Sequence, residues 1–371
     1  MKTMDRDTEF MGFALDEARK GLGRTSPNPA VGAVVIRDGQ VVGRGYHQRA
    51  GTPHAEVHAL HDAAEAAGGA TMYVTLEPCN HVGRTPPCTH AILRAGIRRV
   101  VIGMGDPNPQ VTGSGAAFLR EHGVEVLGGV REEECIALNR PFIKHCTTGL
   151  PWVMLKAGLS LDGKITFFRG QGAALTGAAS LQTVHGLRDQ VDAILVGAGT
   201  ALVDNPRLTT RLADAAGVGR DPVRVVMDTR LRMSPEARML HQASNAPTWI
   251  FCGEDAPTER ARALEAAGAR VVRLPLDEEG HISMAAALRF LGGENLNSVL
   301  VEGGARIHGT LLRRQLADEL VLLYAPFVVG DQGTPLVEGY ARKDRETGPA
   351  LTDITVSRLG DDVLYRALVR Y

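Results

Sequence analysis

The chain has 371 residues, enough for two domains at roughly 100–200 residues each, and its 44% hydrophobic and 22% charged content leaves no compositional case for disorder. Lys plus Arg total 41 against 42 Asp plus Glu, a net charge of −1, which argues against nucleic-acid backbones as partners and leaves room for local basic pockets. No run approaches the roughly 20 apolar residues of a membrane span, the start MKTMDRDTEF has no apolar core, and the five irregularly spaced cysteines form no disulfide framework, so a cytoplasmic protein without a membrane partner is expected.

Phe10, Phe13, Ala14 and Ala18 recur at helical spacing and the run stops at Gly21 and Gly23, which predicts a first helix. AVGAVVIR and QVVGRGYH flank Asp38-Gly39, a hairpin signal because both central residues tolerate positive φ. A helix over about His54 to Ala67, the strand TMYVTLEP, a helix over about Cys88 to Ala95, the strand RRVVIGM and a further helix and strand through VEVL follow. This order predicts an α/β sheet begun by a hairpin and continued by crossovers, with helices on both faces. Pro141, Gly149 and Pro151 in PFIKHCTTGLPW predict a break, giving domains 1–147 and 148–371.

Beyond the break, strands are expected in WVMLKAG, DAILVG, VRVVMD, TWIFCG, ARVVRLP, SVLVEGG, LVLLYAPFVVG and DDVLYRALV, and helices at about 178–188, 257–267, 283–292 and 305–316. Short β-branched runs alternating with helical segments predict a second α/β domain with a mainly parallel sheet.

The first domain carries His54-Ala55-Glu56 and, one helix and one strand later, Pro78-Cys79 followed by Cys88. His54, Cys79 and Cys88 make an open tetrahedral zinc site with a fourth position left for water, whose pKa the metal would lower toward ~7. Two thiolates already balance Zn²⁺, so Glu56 is better used as the proton shuttle between that water and a leaving amine. The order His-x-Glu, then Pro-Cys with a further Cys, matches the zinc nucleobase deaminases. In the second domain no G-x-G-x-x-G follows a strand. SVLVEGGARIHGTLL instead places Gly303-Gly304 between a buried strand and a helix, where free amides could hold a dinucleotide phosphate or where glycine merely permits close packing.

HAEVHAL, TLEPCNHVGRTPPCTHAI and SPNPAVGAVV in the first domain, with KAGLSLDGKI, VGAGTALVDNPRLTTR and LVEGGARIHGTLL in the second, are similar to the bifunctional riboflavin biosynthesis family over nearly the whole chain. The eight residues between Cys79 and Cys88 are the most specific mark. The resemblance implies a cytidine deaminase-like three-layer α/β/α domain and a dihydrofolate reductase-like α/β domain. It also implies zinc, NADPH, phosphorylated ribosylamino-pyrimidine substrates and a homo-oligomer.

Carried over by motif, Gly158, Ala174, Thr200, Asp204, Thr229 and the stretch Gly304, Ala305, Arg306, Ile307, His308, Gly309 and Thr310 correspond to cofactor contacts, and Asp204 also to a residue assisting hydride transfer. Gly172, Arg188, Leu208, Arg211 and Glu302 correspond to substrate positions, with Arg188 and Arg211 suited to phosphate forks. In the first domain the inserted loop brings His81 and Arg84 beside the metal as a phosphate cradle, and Asn28, between two prolines, is placed to meet the pyrimidine edge.

One departure stands out. Many members carry Ser-x-Trp where this chain reads Gly172-Ala173-Ala174, so a deaminase with an impaired reductase is an alternative. A tRNA-type zinc deaminase with an accessory domain is another, weakened by 5% aromatic content and the near-zero charge. A structural zinc protein whose second domain only binds a nucleotide or partner is the third.

Overall fold

Asp38 (φ 50°) and Gly39 (φ 78°) both adopt left-handed backbone, closing a two-residue hairpin between β1 (Gly32–Arg37) and β2 (Gln40–Tyr46). The computed structural model describes residues 3–80, 86–108, 114–172, 174–213 and 219–371. The chain divides into two compact units, Met1–Gly149 and Leu150–Tyr371.

The first unit continues from α1 (Thr3–Arg19) and the hairpin through α2 (Ala55–Ala63), β3 (Thr71–Leu76), α3 (Cys88–Arg94), β4 (Arg99–Met104), α4 (Ser114–Glu121), β5 (Glu125–Leu127) and α5 (Glu132–Thr148). Its sheet runs β2-β1-β3-β4-β5, with β1 antiparallel to both neighbours and β3, β4 and β5 parallel. Strand alternation turns Gly32 toward α1 and Gly43 and Gly45 toward α2, so the two helices lie on opposite faces. A Cβ at Gly32 would meet the Ala14 carbonyl at 2.1 Å, and one at Gly45 the Ala55 carbonyl at 2.4 Å. The helices therefore rest directly on strand backbone. Alanines at helical spacing in α2, Ala55, Ala59 and Ala63, keep that approach close.

Two expectations need correcting in detail. The helix expected to Ala67 ends at Ala63 and tightens into a 3-10 turn, Ala64–Ala67. Pro141 marks no break but lies inside α5, where it removes one intrahelical donor. The helix stops instead at Gly149, whose left-handed φ of 71° and N–H to the His145 carbonyl close it.

The second unit comprises β6 (Trp152–Ser160), α6 (Ala178–Gln190), β7 (Ala193–Gly197), α7 (Ala198–Asp204), β8 (Val223–Met227), β9 (Thr248–Gly253), α8 (Thr258–Ala266), β10 (Ala269–Leu274), α9 (Met284–Gly293), β11 (Ser298–Val301), α10 (Ala305–Arg313), β12 (Glu319–Ala325), β13 (Ala350–Leu359) and β14 (Asp362–Arg370). Its nine strands are ordered β10-β9-β8-β7-β11-β6-β12-β14-β13. From β10 to β12 all are parallel, and β14 and β13 close that edge antiparallel. The strand expected to reach Gly330 ends at Ala325, because Pro326 has no N–H to continue the ladder. β13 and α7 were not expected: β13 is exposed along nearly its whole length and so shows no alternation, and α7 has only seven residues. No helix among the described residues is long and apolar enough to cross a membrane.

Candidate active sites

His54 is the N-cap of α2, extended at φ −75°, ψ 167°, and its ring is not spent on capping. Nδ1 lies 3.5 Å from Cys79 Sγ and 3.3 Å from Cys88 Sγ. Cys79 follows the end of β3 and Cys88 opens α3, its N–H reaching Cys79 Sγ at 3.4 Å. Thr89 ties the two segments further, donating its N–H to the Cys79 carbonyl and its hydroxyl to Asn80 Oδ1 at 2.8 Å.

This donor set fits zinc. Bonds of ~2.3 Å to sulfur and ~2.0–2.1 Å to nitrogen at tetrahedral angles put N and S about 3.5 Å apart. Both nitrogen–sulfur distances lie near that figure, and all three donor atoms are within 4.8 Å of one another. The Cys88 thiol and His54 ring hydrogen bond Cys79 and hold it down at about 4, whereas sharing with Cys79 and burial push Cys88 up. A divalent cation bound here would supply the charge that favours the thiolate form of both cysteines. Glu56 is 3% exposed, and burial lifts its carboxyl to about 7, within hydrogen-bond reach of Cys88.

Asn28 is brought to the same region by contacts that residue spacing did not reveal. His47, 2% exposed and held neutral by burial, donates from Nδ1 to the Pro53 carbonyl at 3.2 Å, so its Nε2 accepts from Asn28 Nδ2 at 3.1 Å. The His47 ring stands edge-on to His54, centroids 5.4 Å apart. On α5, the buried Asn139 accepts the Ala30 N–H at 2.9 Å and donates to the Ala30 carbonyl at 3.0 Å, pinning the chain two residues past Asn28. His81 and Arg84 lie outside the described residues.

In the second unit the polar groups gather at the carboxyl ends of parallel strands, where open α/β sheets bind ligands. Glu302, just after β11, receives Arg188 Nε at 2.8 Å and Nη2 at 2.9 Å, with Lys156 Nζ of β6 at 3.5 Å. Burial alone would raise this carboxyl, but Lys156 and Arg188 outweigh it and hold Glu302 at about 2. The fork expected to grip phosphate at Arg188 is taken by Glu302, and its Nη1 donates to the Thr209 carbonyl. Lys156 went unnoticed in the sequence, although a lysine inside a buried strand needs a partner.

The stretch Gly304–Thr310 forms the start of α10 and does not present one continuous surface. Gly304 caps the helix with no side chain over its free amides. Arg306 is exposed, and Ile307 reaches toward Gly197 at the end of β7. His308 and Gly309 turn inward: the ring donates to the Leu336 carbonyl at 3.1 Å, and a Cβ on Gly309 would meet the Glu338 carbonyl at 1.8 Å.

Thr200 and Asp204 both sit on α7, and burial raises the Asp204 carboxyl. The exposed Gly172 lies against Asp204, where a Cβ would be 1.5 Å from Oδ1, and Ala174 is also exposed. Gly158 of β6 faces Thr176, and the Thr229 carbonyl accepts the Gly253 N–H at 3.0 Å. Leu208 has a left-handed φ of 54° that drives its side chain into the core, so it can meet a ligand only through its backbone.

The family model for the RibD C-terminal domain matches residues 151–365, and that for the cytidine and deoxycytidylate deaminase zinc-binding region matches residues 4–104. The riboflavin biosynthesis protein RibD of Bacillus amyloliquefaciens is 41% identical over 97% of this chain and 95% of its own length. Among solved structures, Acinetobacter baumannii RibD superposes with a TM-score of 0.88 at 32% identity, covering 99% of this chain and 100% of that one. The Thermotoga maritima diaminohydroxyphosphoribosylaminopyrimidine deaminase/5-amino-6-(5-phosphoribosylamino)uracil reductase does so with a TM-score of 0.86 at 37% identity, covering both chains fully. With a zinc-type donor set in one unit and a strand-end polar cluster in the other, this chain belongs to the RibD family of bifunctional deaminase/reductases of riboflavin biosynthesis.

Proposed function

We propose that His54, Cys79 and Cys88 hold one zinc ion and that Glu56 moves the proton in the deamination of 2,5-diamino-6-ribosylamino-4(3H)-pyrimidinone 5′-phosphate to 5-amino-6-(5-phosphoribosylamino)uracil. The observation that carries this reading is the convergence of one imidazole nitrogen and two sulfurs beside a buried carboxyl. Zinc supplies an activated water at neutral pH. Glu56, with a carboxyl near 7, can accept a proton at its carboxylate and return it to the departing amine. Asn28 spends Nδ2 on His47, which leaves Oδ1 to accept from an N–H on the pyrimidine edge. Arg84 and His81 are assigned to the substrate phosphate.

The second unit then reduces the ribosyl group of that product to ribityl, giving 5-amino-6-(5-phosphoribitylamino)uracil. NADPH supplies the hydride to C1. Gly304, Ala305, Arg306 and Ile307 at the start of α10, with Gly158, Ala174, Thr200, Asp204 and Thr229, line the cofactor side, while His308, Gly309 and Thr310 support that helix start. Gly172, Arg211, the Leu208 backbone and Glu302 face the substrate, with Arg188 holding Glu302 in place. Asp204 orients the reacting groups. The near-zero net charge supports small-molecule substrates over nucleic acid, and we assign the enzyme to the cytoplasm as a homo-oligomer.

Purified protein given the diaminopyrimidine phosphate should release ammonia without NADPH and oxidise NADPH only after that release. No ammonia from zinc-loaded protein would refute the first assignment. Ammonia without NADPH oxidation would favour the second reading, an impaired reductase, which the exposed Gly172 beside Asp204 makes specific.

A further inference from the structure

Arg207, Arg211 and Arg238 are exposed in the second unit, and none has a carboxylate within 4.0 Å among the described residues. Backbone staples hold them together. Asn205, left-handed at φ 39°, accepts the Arg238 N–H on Oδ1 at 2.9 Å, and Gln242 Nε2 donates to the Arg207 carbonyl at 2.8 Å. Leu208, Ala237 and Met239 turn into one shared core cluster, while their neighbours Arg207 and Arg238 remain at the surface. The Arg211 N–H reaches His185 Nδ1 at 3.3 Å, and its guanidinium meets Thr209 Oγ1 at 3.3 Å.

Positive charge is in excess at this place, with Asp221 as a partial counterweight. Asp221, the nearby acid, is occupied by the Thr210 N–H at 2.7 Å and the Ser244 hydroxyl at 2.6 Å. Burial, then Arg188, Arg207 and Arg238, lower the affinity of Arg211 for its proton, and Asp221 offsets this only in part, as expected of like charges held close. Behind them, His185 is 1% exposed, and because its Nδ1 accepts from Arg211, the proton is on Nε2. Among the described residues that buried nitrogen meets no acceptor at hydrogen-bond geometry, the Thr209 backbone acting on the ring only weakly. Cationic groups held close repel one another, and one multivalent anion with several acceptor oxygens relieves that repulsion.

The geometry points to Arg207 and Arg238 as further phosphomonoester-binding residues that extend the Arg211 site, for the 5′-phosphate of the ribosylamino-pyrimidine. This rests on the reading of Arg211 as a substrate contact. The 2′-phosphate of NADPH offers the same chemistry, so the test separates the two sources.

Full-length Arg207→Gln, Arg238→Gln, the double variant and Arg211→Gln are compared with the parent chain, with ammonia release by the other unit as the folding control. The double variant should raise the reductase KM for the phosphorylated substrate about 10-fold or more, with kcat within about 2-fold, as expected for lost charge-assisted contacts. Its KM should depend less steeply on ionic strength, ribose 5-phosphate should inhibit it less, and the dephosphorylated substrate should be unaffected. An unchanged KM in the double variant alongside a raised KM in Arg211→Gln overturns the extension and leaves the Arg211 reading standing. An unchanged KM in Arg211→Gln as well overturns that reading. A KM raised for NADPH but not for NADH or substrate assigns the cluster to the cofactor and overturns the proposal.

Discussion

Asn139 and Ala30, 109 positions apart, exchange two hydrogen bonds: the side-chain amide of one satisfies both backbone groups of the other. The pair anchors the segment bearing Asn28 to α5, which lies beyond the residues matched by the deaminase family model. Replacing Asn139 with Ala leaves two buried backbone groups unpaired, at about 1–3 kcal/mol each. The urea midpoint of the first unit should fall, and the KM for the diaminopyrimidine should rise more than kcat falls, with zinc content unchanged. An unchanged KM would show that the anchor serves the fold alone.

Glu56→Gln keeps the shape of the side chain and removes the proton carrier. Zinc measured by atomic absorption should stay at one per chain while ammonia release drops by roughly 10²–10⁴. NADPH oxidation with the deaminated intermediate supplied should be untouched.

Acid should weaken the second unit through His308. Burial, reinforced by Lys156 and only partly offset by the Leu336 carbonyl, lowers this ring from 6.5 to about 4. Between those values the unfolded chain binds a proton that the folded chain does not, so stability is fully present above about 6.5 and falls toward pH 4. The loss amounts to roughly 3 kcal/mol, because each tenfold change in proton affinity is worth about 1.4 kcal/mol. Urea titrations from pH 7.5 to 4 should show it, and His308→Gln should remove its share of the slope while His185, which burial likewise lowers to about 4, keeps its own.

Arg188→Gln strips Glu302 of its bidentate partner and leaves Lys156 at 3.5 Å as its one cation among the described residues. Breaking a buried pair from one side costs about 3–5 kcal/mol. The second unit should melt earlier, and Glu302→Gln in the same chain should recover part of the loss. No recovery would mean that Arg188 acts through its bond to Thr209 instead.

Gly172→Ala tests the close approach of the exposed Gly172 to Asp204. The new methyl would displace the Asp204 carboxylate, a movable group, so stability should change by less than about 1 kcal/mol. NADPH oxidation should fall while ammonia release holds. Equal oxidation in both proteins would separate Asp204 from the reduction.

Much of the deaminase centre was legible because its chemistry is local. His54, Glu56, Cys79 and Cys88 sit at element ends that capping and turn signals mark, and Asp38-Gly39 sets the hairpin. Asn139 and His47 stayed hidden because their roles exist only through partners distant in sequence. Pro141 misled because a proline within a helix is as legible as one between elements, and only packing distinguishes them. The strand order, with β11 inserted between β7 and β6, depends on which buried strand pairs with which, and near-uniform apolar runs carry no mark of their neighbours. Arg188 was singled out for a phosphate fork and Glu302 as a substrate position, yet their opposite charges found each other first.

The glycines of the β1–β2 hairpin have a bearing on how this enzyme can vary. Gly43 and Gly45 contribute no reactive group, yet they seat α2, and with it His54 and Glu56, against bare strand backbone. A methyl at either position would lift the helix that carries one ligand while Cys79 and Cys88, anchored to β3 and α3, stayed behind. Substitution tolerance around the metal should therefore follow helix height as much as ligand chemistry, making two side-chain-free positions in a surface hairpin as restrictive as the ligands themselves.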